Sequence, residues 1–211
     1  MSGCYYWHMN FANVAAIFST VLSIYCGIPY VRAILAHKTK PHQLSWLVFT
    51  IMNGIVFGSQ FLAGGRRSVI LSFVFFVGSF VNFVLSLKFG TRDTSRWDRT
   101  LFAFALITIV VWALTRSNSA AIWLTLVIDV AATAMMVLKL RAEPRSEDPH
   151  PWMLVTAAYV FTCLTLVGRP FGILYVRPLY GLACNSIFVG SIFYYRKRAK
   201  RQQVALSPPE I

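Results

Sequence analysis

Two asparagines, Asn82 and Asn185, stand inside apolar runs where a carboxamide has no water to bond. An amide buried without partners costs about 1–3 kcal/mol. Each must therefore meet a neighbouring helix or a polar solute. Two carboxamides facing one cavity could hold the hydroxyl, amine or carboxylate groups of a small solute; the plainer alternative is that each ties helices together. Asp129, in TLVIDVAATAMM, is an acid near the middle of an apolar run. A carboxylate there marks a proton relay, a pathway or an ion pair, and Arg177, Thr133 or Asn185 could supply a purely structural partner. Asn53, Phe57 and Gln60 fall on one helical face, which could line a cavity or bond across helices. Pro29, next but one to Gly27, breaks an apolar run from within and is a candidate hinge. A bent helix is the bland alternative.

Other chemistry finds no support. The four cysteines form no CxxC or Cys/His spacing, so neither a zinc site nor a disulfide framework is expected. HExxH, GxSxG and P-loop patterns are absent, and the chain is read as a non-enzyme without cofactors. The last apolar run holds no lysine for a retinal Schiff base. His37 and His42 flank a KTKP turn and are expected in solvent. The tryptophans mostly fall near the ends of apolar runs, as interfacial anchors do.

The elements that must hold these residues are membrane spans. Hydrophobic residues make up 57% of the chain and charged ones 13%, about half the charge of a soluble domain; mean hydropathy is +0.60. A bilayer core takes about 20 apolar residues per helix. Runs at 12–36, 44–63, 68–88, 98–115, 119–140, 151–168 and 171–195 qualify, joined by short connections rich in proline and charge. The first run lacks a basic leader and is expected to be retained. A net charge of +13 would suggest nucleic acid in a soluble protein. Here the basic residues flank apolar runs, so the expected partner is the bilayer and nucleic acid is discounted. Fifteen Lys and Arg fall on one side and five on the other. The positive-inside rule then places the N-terminus outside and the C-terminus in the cytoplasm of a multi-pass cell (inner) membrane protein. After 195 come a basic tail, 196–211, and within it a disordered end from 202.

An internal repeat orders the spans. At an offset of 103, Pro41 falls on Pro144, Gly65 on Gly168, Arg66 on Arg169, Gly78 on Gly181 and Asn82 on Asn185, without gaps. The expected fold is all-α, with seven transmembrane helices as two parallel three-helix bundles, 12–90 and 119–195. The span 98–115 is the connector that restores orientation between them. Such a chain can form a pathway alone, and a homo-oligomer is equally compatible with the sequence.

The stretch IPYVRAILAHKTKPHQLSWLVFTIMNGIVFGSQF resembles the motif of the SWEET, SemiSWEET and PQ-loop transporter superfamily. Pro29-Tyr30 stands at its proline-glutamine pair, Lys38-Thr39 at its turn, Leu44-Ser45 after it, and Asn53 with Phe57 in the next helix. Tyr30 replaces the glutamine, and Ala132-Thr133 stands at the pair's position in the second repeat. The resemblance implies alternating access, with the Asn82/Asn185 pair lining a solute pocket and Asp129 near a proton-coupling aspartate. Transport of a small polar solute, sugar or amino-acid-like, is thus the expected function. The alternative is a non-transporting sensor or assembly subunit that binds a partner through its basic cytoplasmic face.

Overall fold

In the computed structural model, the structure describes residues 2–62, 67–91, 95–115, 118–168 and 173–206. The fold is all-α: α1 (Ser2–Tyr25), α2 (Gly27–Leu35), α3 (Gln43–Leu62), α4 (Arg67–Phe89), α5 (Arg96–Thr115), α6 (Asn118–Ala142), α7 (Pro149–Leu164) and α8 (Ile173–Leu206). No strand occurs among the described residues; His42 and Thr91 form one isolated bridge.

The first apolar run is divided between α1 and α2 at Cys26. A proline ring clashes with the carbonyl four residues back, and for Pro29 that is Tyr25, where α1 ends. The break thus sits one turn ahead of the residue that causes it. Helix α2 stops at a left-handed His37 (φ 57°). There the Lys38 amide bonds the Ala33 carbonyl at 2.9 Å and the His37 amide bonds Ile34 at 3.0 Å, a Schellman stop that usually employs glycine. Ser95 and Asp98 cap α5 reciprocally, at 2.8 and 3.1 Å. Asp148 caps α7 through the His150 amide at 3.0 Å. Helix α8 runs through the basic tail to Leu206, so the residues from 202 to 206, expected to be disordered, are helical.

Packing joins distant segments. Helix α1 lies along α7, α3 along α4, α5 along α6, and α7 along α8. Helix α6 also packs on α3 and α8, α3 on α5, and α2 on α4 and α7. One apolar core gathers Val48 and Met52 of α3, Ala105 of α5, and Ile128, Ala131, Ala132 and Met135 of α6. A second joins Met136 and Leu140 of α6 to Phe188 and Ile192 of α8.

The surface is unusually apolar. Phe11, Val14, Ile17, Phe18 and Val21 on α1 are all exposed, as are Phe73, Phe80 and Val84 on α4 and Ile107, Val110 and Leu114 on α5. Thr39, His42, Ser45, Ser79, Asn82 and Ser86 are buried. The segment Phe11–Leu35 is long and apolar enough to cross a membrane, a test that a signal sequence or a soluble core helix also passes; Gln43–Gly58 and Phe73–Phe89 are shorter apolar helices.

Candidate functional site

Polar side chains concentrate in two places. One is the α3–α4 interface. Asn53 of α3 donates to Ser79 Oγ of α4 at 3.3 Å, and Ser79 in turn donates to the Phe76 carbonyl at 2.9 Å. One turn further along α4, Asn82 is only 6% exposed, and its Oδ1 finds no partner among the described residues. A buried carboxamide oxygen without a donor is an acceptor waiting for one. Phe57, expected beside Asn53, packs into an aromatic group with Phe61, Phe73 and Phe76, its ring 5.3 Å from that of Phe73.

The other predicted residues are more dispersed. Asn185 of α8 is half-buried and turns its amide onto the Gly181 carbonyl of its own helix at 3.0 Å. It makes no hydrogen bond to Asn82, whose oxygen has no partner among the described residues. Asp129 lies half-buried on α6, within electrostatic reach of Tyr180, whose hydroxyl donates to the Leu126 carbonyl at 2.9 Å. The side chains of Gln60 and Arg177 lie outside the described residues.

The second polar centre joins the connections 36–42 and 143–148. Its middle is Glu147, 0% exposed, paired with Lys139 of α6, which is 4% exposed. Lys139 Nζ also donates to the Lys40 carbonyl at 2.6 Å. Trp152 Nε1 of α7 donates to Glu147 Oε2 at 3.2 Å and Tyr30 Oη of α2 at 3.4 Å, while Trp46 Nε1 donates to Tyr30 Oη at 3.1 Å. From α8, Arg196 donates to the Glu147 carbonyl at 2.6 Å. Further links bind the connections directly: the Lys40 amide to the Ser146 carbonyl at 2.7 Å, the Asp148 amide to Thr39 Oγ1 at 2.9 Å, and Lys40 Nζ to Glu143 at 2.9 Å. Burial pushes the Glu147 carboxyl above its ordinary value, and Lys139, Trp152 and Tyr30 hold it back. Together these bonds form a clamp that ties five helices, α2, α3, α6, α7 and α8, at one end of the bundle.

His42 belongs to the same end, and its expected exposure is corrected: it is 1% exposed. Its Nδ1 accepts the Ser45 amide at 3.3 Å, Ser45 Oγ donates to the Ala132 carbonyl at 2.9 Å, and Nε2 faces Asp98 across 3.8 Å. Burial pushes the imidazole down to about 4 although Asp98 opposes it, so His42 is neutral near pH 7. Packing from α5 and α6, remote in sequence, covers it.

Sequence reasoning missed Lys139 and Glu147. Lys139 reads as one more flanking charge and Glu147 as a loop acid; only the eight-residue path that returns one to the other at a helix–helix junction distinguishes them. Tyr30, Thr39 and Ser45, three motif positions behind the PQ-loop resemblance, all point into this end. Among the described residues, no grouping of three or more His, Cys, Asp or Glu could hold a metal ion. Comparison with known protein families, with curated proteins and with solved structures finds no match for this chain.

Proposed function

We propose that the chain is a multi-pass membrane transporter that moves a small polar solute by alternating access between two three-helix units. The exposed phenylalanines, valines and isoleucines of α1, α4 and α5 favour lipid as the surrounding medium, since in water such a surface would aggregate. With α1 and α2 counted as one broken span, the packing supports the repeat. Exchanging the first span for the fifth, the second for the sixth and the third for the seventh maps α1–α7 onto α6–α3, α3–α4 onto α7–α8, and α2–α4 onto α6–α8. The ion pair Lys40–Glu143 joins residues 103 apart, the repeat offset itself. Equivalent positions meet in this way only near a two-fold axis.

The observation that carries the solute role is Asn82. Its buried, unpaired oxygen, beside the Asn53–Ser79 pair, suits a solute hydroxyl or amine better than it suits packing. Asn185 supplies the second carboxamide once it leaves Gly181, Phe57 packs behind Asn53, Pro29 places the bend of the first span, and Asp129 tunes charge or carries a proton. The clamp at Glu147 is the closed, cytoplasmic end in this reading, and its bonds part when that end opens.

Uptake of a panel of sugars and amino acids into proteoliposomes tests the proposal. The wild type is expected to accumulate one class, and Asn82→Ala with Asn185→Ala is expected to abolish that uptake while the protein stays folded. Undiminished uptake in the double variant would sink the pocket assignment. No uptake of any solute would favour the rival, a non-transporting subunit that docks through its basic face.

A further inference from the structure

At the clamped end, where α6 stops and α8 continues beyond its apolar part, lies a cavity of about 160 Å³. Arg141, Pro144, Tyr195, Arg198, Ala199 and Gln202 line it. Two arginines, a tyrosine and a glutamine are among the lining residues, and no aspartate or glutamate is. Neither arginine makes an ion pair among the described residues, whereas Lys40, Lys139 and His42 each face an acid. Two unpaired cations around one hollow repel each other, and an anion between them relieves the repulsion. Guanidinium forks match the oxygens of a phosphate.

The surroundings narrow the source of that phosphate. Arg198 shares a strip of α8 with Ile187, Gly190 and Tyr194, spaced as successive turns of one helix face. Ile187 and Tyr194 are 64% and 61% exposed, and a side chain at Gly190 would meet nothing within 4 Å. The strip is therefore an open apolar track that ends at the cationic hollow. Free phosphate has no use for the track; a lipid acyl chain does.

We propose that this cavity binds the headgroup phosphate of an anionic phospholipid of the cytoplasmic leaflet, with an acyl chain along Ile187, Gly190 and Tyr194. The site rests on the membrane reading above but not on solute transport. Basic pockets of this kind between helices hold anionic headgroups. A bound lipid there would tie α8 to the end of α6, next to the clamp.

The test is lipid binding by the purified full-length chain in detergent, followed by native mass spectrometry and by melting. The probes are dioleoylphosphatidylglycerol, dioleoylphosphatidylcholine and inorganic phosphate. Phosphatidylglycerol is expected to bind and raise the melting temperature; the other two are not. Arg141→Gln with Arg198→Gln is expected to weaken phosphatidylglycerol binding roughly thirtyfold, the weight of two basic residues at an anionic surface. The charge-matched control, Lys38→Gln with Arg99→Gln, removes exposed cations elsewhere and is expected to leave binding unchanged. Equal losses in both pairs would reduce the effect to general electrostatics and overturn the site. Equal stabilisation by inorganic phosphate would overturn the lipid assignment. Lipid binding with no solute uptake would support this site while removing the transporter reading, so the two fail separately.

Discussion

Replacing Lys139 with methionine removes the one cation paired with the Glu147 carboxylate among the described residues, in a site that is 4% exposed at the lysine and 0% at the glutamate. Breaking a buried pair in this way costs about 3–5 kcal/mol, because the remaining charge is left without its counter-ion. Glu147 keeps two donors, Tyr30 Oη and Trp152 Nε1, which places the cost near the lower end, about 3 kcal/mol. For a chain of this size that corresponds to a fall in melting temperature of roughly 6–12 °C. The deficit should shrink as pH falls, since a protonated Glu147 needs no cation, and burial already pushes that carboxyl up. Lys139→Met with Glu147→Gln removes both charges and should lie within about 1 kcal/mol of the wild type. Melting of purified protein in one detergent, followed by tryptophan fluorescence at pH 5 and pH 8, measures all three. A single variant that melts within 2 °C of the wild type would refute the clamp (about 1 kcal/mol or less). So would a double variant as unstable as the single.

Gly78 and Gly181 should respond differently although they stand 103 residues apart, at matching positions of the proposed repeat. A Cβ at Gly181 would collide with the Tyr159 ring, whereas one at Gly78 meets nothing within 4 Å. Gly181→Ala should therefore cost about 1–3 kcal/mol and Gly78→Ala should gain up to about 1 kcal/mol, both read by denaturation; equal effects would contradict the described α7–α8 approach. His42, held down to about 4 against an ordinary 6.5, gives stability that is complete above pH 6.5 and lost as pH falls toward 4. Its share is of order 3 kcal/mol. Glu147 acts oppositely, its protonated form being favoured in the fold, so the comparison of wild type with His42→Asn across pH 4–7 isolates the histidine. An unchanged pH profile in that variant would remove its role. For Asp129, uptake by Asp129→Asn should lose its pH dependence; full retention would eliminate a proton role for this residue.

How much of this was legible in the sequence differs by residue. Helix content and the break in the first apolar run were readable because Pro29 and the apolar runs act locally. The repeat proposed above rests on Pro41/Pro144 and Asn82/Asn185, which keep one register in the sequence. Burial of His42 was not, since Asp98 and Ala132 arrive from helices 56 and 90 positions away. The helical character of 202–206 was hidden because so short a stretch, QQVAL between a basic run and SPPEI, carries no periodicity that separates a helix from a tail. Phe57 illustrates a different loss. Its spacing from Asn53 is right for a shared face, yet aromatic neighbours from α4 hold it in packing. Lys139 and Glu147 were hidden most completely, because type and spacing carry no signal of a tertiary junction.

The central claim is that two related units part at their clamped end to pass a solute. Cysteines at Lys40 and Glu143, positions paired at 2.9 Å, placed in a variant lacking the native cysteines, can be joined through two disulfides by a short bis-methanethiosulfonate, each thiolate displacing methanesulfinate. Uptake of whichever solute the wild type accumulates should then fall to background after cross-linking and return on reduction. Uptake that continues undiminished through the cross-link would show that this end never opens, and would contradict the account.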